Sequence, residues 1–195
     1  MNHEKKFDPK MFEKLKNPER LERENPEIIW GLLALESPDC IIDIGAGVGF
    51  TAIPFARKLK EGTVWACDIS TEMLAELKKE IDSKEPDLRV KPLLSGEVDV
   101  PLPGLIADAV IMLNLHHEFD SAHKNMLEAK RLLKIGGKVA IIDWKKEETP
   151  AGPPLEIRVT AETIKKDLAE AGFIKIKEHT DLPYHTFIVG IKGKV

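Results

Sequence analysis

The stretch Cys40–Phe50, CIIDIGAGVGF, constrains the fold more than any other part of the chain. An apolar run interrupted only by Asp43 enters a turn with glycine at positions 45, 47 and 49, and a helix-forming segment, Phe50–Lys60, follows. A short continuous apolar run bounded by glycines predicts a strand covered on both faces, as in a parallel sheet. The glycines then bring the main chain close to whatever lies above the strand's carboxyl end. Pro54 falls in the first turn of the following helix, where amide hydrogens lack helical partners in any case, so it need not break it.

The same strand–turn–helix unit recurs. TVWACDI (63–69) reads as strand two, with Ser70 placed to cap the helix TEMLAELKKEID. LRVKPLL (88–94) reads as a third strand made irregular by Pro92. ADAVIMLNL (107–115) is strand four, SAHKNMLEAKRLLK the next helix with Gly136-Gly137 as its stop, and KVAIIDW strand five. A proline-rich loop, ETPAGPPLE, leads to a helix from Thr160 to Gly172. FIKIKEH and TFIVGIK close the chain; TDLPY between them is too short for a parallel crossover, so they pair antiparallel. The expected fold is α/β: a Rossmann-like, doubly wound, mostly parallel seven-stranded sheet with a C-terminal antiparallel hairpin. Residues 1–195 form a single domain, with a helical segment at 1–36 and the Rossmann-like core at 37–195. Asp-Pro and Asn-Pro starts at DPKMFEKLK, NPERLERE and NPEIIWGLLALE mark short helices in the first segment, and Leu21, Ile28, Ile29, Leu32 and Leu33 give it an apolar stripe. It serves either as a lid over the site or as a brace along the sheet.

Composition excludes several functions. A formal charge of −4 gives no electrostatic reason for nucleic acid or an anionic membrane surface to bind. The N-terminal sequence lacks the apolar core of a secretion signal, and no apolar run approaches the roughly 20 residues of a membrane helix. The expected location is the cytoplasm. Cys40 and Cys67 lie in apolar stretches without partners at metal-ligand spacing and read as buried reduced thiols. His116 and His117 are adjacent and point apart, and no H-x-x-x-H pattern occurs, so no metal is expected.

In doubly wound sheets ligands bind outside the carboxyl ends of the strands, where Gly45–Gly49, Asp68, Ser95, Asn114 and Trp144 all fall. The dinucleotide fingerprint is G-x-G-x-x-G; here its last position is Phe50, and the pattern is G-x-G-x-G. Asp43 would repel a pyrophosphate, by about 1 kcal/mol or more, but would attract an ammonium group. Asp68, 19 residues after Gly49, can accept hydrogen bonds from both hydroxyls of a ribose. A ribose at strand two and a cation at strand one describe an adenosyl amino acid better than a nicotinamide dinucleotide.

IIDIGAGVGF, the acid in ACDIS, LLKIGGKVAIIDW and the terminal hairpin together resemble the class I S-adenosylmethionine-dependent methyltransferases, in particular the type-11 branch related to quinone-biosynthesis C-methyltransferases. FDPKMFEKLKNPERLE and DWKKEETPAGPPLE resemble segments of a small prokaryotic subgroup. The resemblance spans residues 7–192. It implies S-adenosyl-L-methionine as cofactor and S-adenosyl-L-homocysteine as product. The backbone of Gly45, Ala46, Gly47, Gly49 and Phe50 would then pass under the methionine part, with Asp43 near its ammonium. Asp68 would hold the ribose, and Ile69 and Met73 would lie against the adenine. Ser95 and Gly96 stand at the adenine edge, where Ser95 replaces the family's usual acid and Glu97 follows two residues on. Asn114 and Leu115 would border the sulfur and the methyl.

Methyl transfer from a sulfonium is an in-line displacement, in which holding the acceptor in line and excluding water can supply up to roughly 7–11 kcal/mol. A base is needed only where the acceptor must lose a proton, and NLHHEFD offers His117 and, behind it, His116. Trp144 at the end of strand five can stack on a planar acceptor or roof the core. Glu156, Arg158, Tyr184 and His185 can build the acceptor wall or pack their loops. The expected partner is a small-molecule acceptor, met by a monomer or a homodimer. The rival readings are a nicotinamide-dependent oxidoreductase and a cofactor-binding subunit without catalysis.

Overall fold

The apolar runs form the strands. In the computed structural model, which describes residues 17–194, β1 (Cys40–Ile44), β2 (Thr63–Asp68), β3 (Val90–Leu94), β4 (Ala107–Leu113), β5 (Leu133–Trp144), β6 (Phe173–His179) and β7 (His185–Lys192) make one sheet. Its order is β3-β2-β1-β4-β5-β7-β6. β1 to β5 run parallel, and β7 enters antiparallel between β5 and β6. The chain order reverses between β1 and β4, so a crevice opens above their carboxyl ends.

The helices are α1 (Arg20–Arg23), α2 (Pro26–Leu33), α3 (Ala52–Lys58), α4 (Thr71–Lys84), α5 (Ala122–Leu132) and α6 (Ala161–Glu170). Ile29 and Leu33 of α2, Phe55 of α3 and Leu77 and Ile81 of α4 pack with Ile41 and Ile111 on one face of the sheet. Met126 and Leu132 of α5 and Ile164 and Leu168 of α6 pack with Ile42 and Met112 on the other. Coverage of both faces explains why β1 and β4 read as near-continuous apolar runs, each with a single aspartate, rather than alternating ones. The expected caps form: the Asn25 side chain accepts from Glu27 N, Ser70 from Met73 N and Thr160 from Thr163 N.

The structure corrects several boundaries. α3 begins at Ala52, because Phe50 and Thr51 remain in the turn. Pro92 causes no irregularity: β3 keeps an unbroken register with β2, Pro92 opposite Ala66, since an edge strand has no neighbour to miss its amide. Gly136-Gly137 does not stop α5. That helix ends at Leu132, and the two glycines lie within β5, in a bulge where Leu133 pairs with Ala107 but Lys138 pairs with Ala109. Gly136 has φ +83°, and a Cβ on Gly137 would lie 3.0 Å from the Ala107 carbonyl. The N-terminal stripe is only partly packed: Ile29 and Leu33 are fully buried, whereas Leu21 is 50% and Ile28 39% exposed. DPKMFEKLK lies outside the described residues.

Candidate active site

The glycine turn and the acid after β2 form one unit. Gly45, Gly47 and Gly49 have φ of +73°, +52° and +87°, a left-handed region that other residues enter only with strain. The amides of Gly45 and Ala46 donate to the Cys67 carbonyl at 2.9 and 3.0 Å, which ties the turn to β2. A Cβ on Gly45 would lie 2.9 Å from Leu115, so the segment after β4 presses on the turn from above. Asp68 Oδ2 accepts the Gly47 amide at 2.8 Å and Oδ1 the Ser70 amide at 2.9 Å. Each carboxylate oxygen keeps a further acceptor position, so Asp68 both clamps the turn and remains able to receive hydroxyl donors.

Asp43 lies beneath. It is 2% exposed, and its Oδ2 has no hydrogen-bond partner. Burial first, and then the negative charge of Asp68, push its carboxyl up to about 8, against the opposing pull of the Ala52 amide and Arg20. A buried acceptor oxygen without a partner costs on the order of 1–3 kcal/mol. A cationic donor relieves that cost and draws the proton off Asp43, whereas a phosphate would hold the carboxyl protonated. S-adenosylmethionine fits these residues on both counts: an ammonium suits Asp43, and ribose hydroxyls suit Asp68.

At the crevice's far edge Ile69 is 54% exposed, while Met73 is buried in the first turn of α4. Ser95 donates its amide to the Asp68 carbonyl at 3.0 Å, and the Gly96 amide bonds to the Asp99 carbonyl. Glu97 Oε1 accepts the Asp120 amide at 3.2 Å, tying this loop to the one after β4. Asn114 has φ +56°, and its amide donates to Ile142 of β5.

Three residues that sequence reasoning passed over complete the site. Glu24, just after α1, is 1% exposed; its carboxylate bonds to Arg20 Nε and to Asn114 Nδ2 and lies 3.3 Å from His185 Nε2. Burial raises the Glu24 carboxyl, but the His185 and Arg20 partners outweigh it and hold the group below the ordinary range. Arg20 stacks its guanidinium 3.8 Å from the Phe50 ring centre. The N-terminal segment therefore does two things: α2 braces the sheet, and α1 reaches over the glycine turn and the ends of β4 and β7. The Arg20–Glu24 spacing of four was legible, but nothing local pointed to Asn114 or His185.

The third is Asp143, 1% exposed at the end of β5. Its Oδ1 accepts His117 Nδ1 at 2.8 Å and the Trp144 amide at 2.7 Å, and its Oδ2 accepts the His117 amide at 2.9 Å. His116 is placed differently. Its ring is buried, with Nε2 3.1 Å from Asp167 of α6 and an edge contact to Phe119. Burial lowers its basicity below the usual imidazole range, against the pull of Asp167. Of the adjacent histidines, His117 thus belongs with the strand ends and His116 with the helix layer.

Trp144 is 7% exposed, packed on His185 with ring centres 4.3 Å apart and planes tilted by 43°. A Cβ on Gly152 would lie 2.7 Å from the indole. Arg158, read as either acceptor wall or loop packing, is 6% exposed and donates to the carbonyls of Lys145, Glu147, Ala151 and Pro153 and to the Thr149 hydroxyl. The guanidinium thus shapes the proline loop from within. Tyr184 accepts the Lys145 amide through its carbonyl, and Glu156 is exposed. Burial raises Cys40 to about 11 and Cys67 to about 12, so both free thiols are protonated at neutral pH. Among the described residues no cluster of three or more His, Cys, Asp and Glu is placed to hold a metal, and no helix is long and apolar enough to cross a membrane.

A doubly wound sheet of this order, with a left-handed glycine turn, a buried carboxyl with one unpartnered oxygen beneath it and a ribose-type acid beside it, fits a binder of adenosyl amino acids. Comparison with known proteins agrees. Residues 41–137 match a family model described as a methyltransferase domain. The solved structure of a SAM-dependent methyltransferase from Aquifex aeolicus is 30% identical, with a TM-score of 0.87 over 96% of this chain and 100% of that one. The 2-methyl-6-phytyl-1,4-hydroquinone methyltransferase of Arabidopsis thaliana, named as chloroplastic, is 32% identical over 55% of this chain and 31% of its own length. The ubiquinone/menaquinone biosynthesis C-methyltransferase UbiE of Chromobacterium violaceum is 31% identical over 59% of this chain and 47% of its own. The chain thus spans less than half the length of these two curated relatives. It belongs to the class I SAM-dependent methyltransferases, whose cofactor is S-adenosylmethionine.

Proposed function

We propose that this chain transfers a methyl group from S-adenosylmethionine to a small-molecule acceptor by in-line displacement. The observation that carries the reading is Asp43, whose unpartnered buried oxygen calls for a cationic ligand beside the glycine turn. In this reading Asp43, Gly45, Ala46, Gly47, Gly49 and Phe50 hold the amino-acid part. Asp68 holds the ribose; Ile69, Met73, Ser95 and Gly96 flank the adenine; Asn114 and Leu115 border the reacting end. When bound, the cofactor supplies a methyl already activated on a sulfonium. The protein's work is to align the acceptor, exclude water and receive a proton. His117 is the proposed base. His116 and Trp144 support the acceptor side from within the fold, since both rings are packed against protein.

Residues 1–36 act with the core as one domain, α1 forming a lid over the crevice. The names of the two curated relatives support a small organic acceptor; a monomer or a homodimer is part of the same proposal. A cytoplasmic location, expected from composition, belongs to the same proposal. Calorimetric titration with S-adenosylhomocysteine tests the reading: micromolar or tighter binding is expected. Binding of NAD in its place, with no response to S-adenosylhomocysteine, would overturn it. Incubation with labelled cofactor and host metabolites, followed by mass analysis, identifies the acceptor, and His117→Ala is expected to slow that turnover while cofactor affinity stays within about twofold.

A further inference from the structure

Asn114 follows β4 with both its backbone and its side chain pinned. The backbone sits at φ +56°, in the left-handed region, and its amide donates to the Ile142 carbonyl at 2.8 Å. The side chain is held by Glu24, whose buried carboxylate accepts Nδ2. An ionised carboxylate only accepts, so the end of the amide that faces it must be the NH2 group. Oδ1 is thereby turned away from Glu24; it is buried and has no hydrogen-bond partner. Its partial negative charge is left unanswered, and in surroundings shut off from water such a charge acts on a cation nearby without direct contact. The other acids at this edge are engaged elsewhere. Asp68 clamps the Gly47 and Ser70 amides, and Asp143 accepts the amides of His117 and Trp144 and the His117 ring. Arg20, bonded to Glu24, offsets the charge of that carboxylate, so what Glu24 gives Asn114 is direction.

We propose that Glu24 is the positioning residue that makes the site prefer the methyl donor to its product: it holds the Asn114 amide with the oxygen towards the reacting end, where a sulfonium is favoured over a thioether. This rests on the methyl-transfer reading, which puts Asn114 beside the sulfur, and extends it to discrimination between the two forms of the cofactor. When the methyl leaves, the sulfur keeps the electron pair of the broken bond and loses its positive charge. Asn114 Oδ1 then has no cationic neighbour, and the product is held less tightly than the donor. S-adenosylmethionine and S-adenosylhomocysteine share their ammonium, ribose and adenine. The contributions of Asp43 and Asp68 therefore cancel from the ratio of the two Kd values, and that of Asn114 remains.

Calorimetric titration of the full chain at neutral pH with each ligand, in the absence of any acceptor, reads that ratio. The wild type is expected to bind S-adenosylmethionine about tenfold tighter than S-adenosylhomocysteine. Glu24→Gln keeps the shape of the side chain but can turn its own NH2 group to Asn114. It is expected to bring the two affinities within about twofold, by weakening S-adenosylmethionine. Asn114→Gly, which takes φ +56° without strain, is expected to do the same and decides the matter if the first variant does not fold. An unreactive analogue with an amine-bearing carbon in place of the methylsulfonium is expected to follow S-adenosylmethionine. Equal affinities in the wild type overturn the proposal, as does an analogue that follows S-adenosylhomocysteine. An equal loss of both ligands in the variants marks a merely structural role and overturns it too. If the wild type binds neither ligand, the methyl-transfer reading fails and the proposal with it; a wrong ratio with both ligands bound overturns the proposal alone.

Discussion

Replacing Asp68 with alanine separates binding from architecture. In the structure its two oxygens accept the Gly47 and Ser70 amides at 2.8 and 2.9 Å and retain one acceptor position each. If those positions receive the ribose hydroxyls, the substitution removes two charge-assisted hydrogen bonds, worth roughly 1.5–3 kcal/mol each. The site is half-buried, so water partly replaces them, and the net loss is about 2–4 kcal/mol, or roughly 30- to 1000-fold in Kd. The same change leaves two amides without their acceptor, a cost of about 1–2 kcal/mol in the unliganded protein. For a chain of this size that lowers Tm by several degrees. Calorimetric titration with S-adenosylhomocysteine and thermal unfolding without ligand read the two effects separately. A Kd unchanged within twofold, together with the fall in Tm, would show that Asp68 only clamps the turn and that the ribose is held elsewhere.

Other expectations follow from the same geometry. Because Asp43 is raised from 3.8 to about 8 by burial and by Asp68, the folded state keeps it protonated where the unfolded chain ionises it; its contribution to stability is greatest at low pH and is lost as pH climbs towards 8. An ammonium bound beside Asp43 restores the carboxylate, so S-adenosylhomocysteine affinity should tighten from pH 6 to 8, by at most about tenfold per unit, with proton release visible in buffers of different ionisation enthalpy. Asp43→Asn should flatten that slope; a slope unchanged in the variant would place the titrating group elsewhere. Glu24→Ala removes the buried carboxylate that Arg20, Asn114 and His185 all face, and should cost about 3–5 kcal/mol in chemical denaturation while exposing residues 20–33 to hydrogen exchange. Gly49→Ala must adopt φ +87° and also drives its methyl into Leu77, so it should destabilise by more than the roughly 1–2 kcal/mol of left-handed strain alone. Gly45→Ala should lose less, because its methyl approaches the half-buried Leu115 only to 2.9 Å, whereas Leu77 is fully buried and nearer; equal midpoints for the two variants would contradict this.

Much of the crevice was legible because its parts lie in short stretches. The glycine spacing, Asp43 and Asp68 sit within 26 residues, and strand, turn and helix follow one another there without interruption. Where the reading went astray, a pairing partner was the cause. Gly136-Gly137 has the sequence of a helix stop, yet Ala107 across the sheet draws Leu133 into a strand and turns the glycines into a bulge. Pro92 has the sequence of an irregular strand, yet an edge position removes its penalty. Of the two roles open to Arg158, wall or loop packing, the contacts show the second, which only the folded proline loop reveals.

Periodicity, glycine placement and the missing sixth-position glycine therefore determined the layered sheet, its ligand edge and the preference for a cation over a diphosphate, since each depends on residues that are neighbours in the chain. Only the tertiary structure decided that Glu24 reaches Asn114, 90 residues away, and that Asp143 holds His117 across 26. A buried carboxylate is defined by the donors that surround it, and those donors are assembled by strand order, which no local pattern encodes.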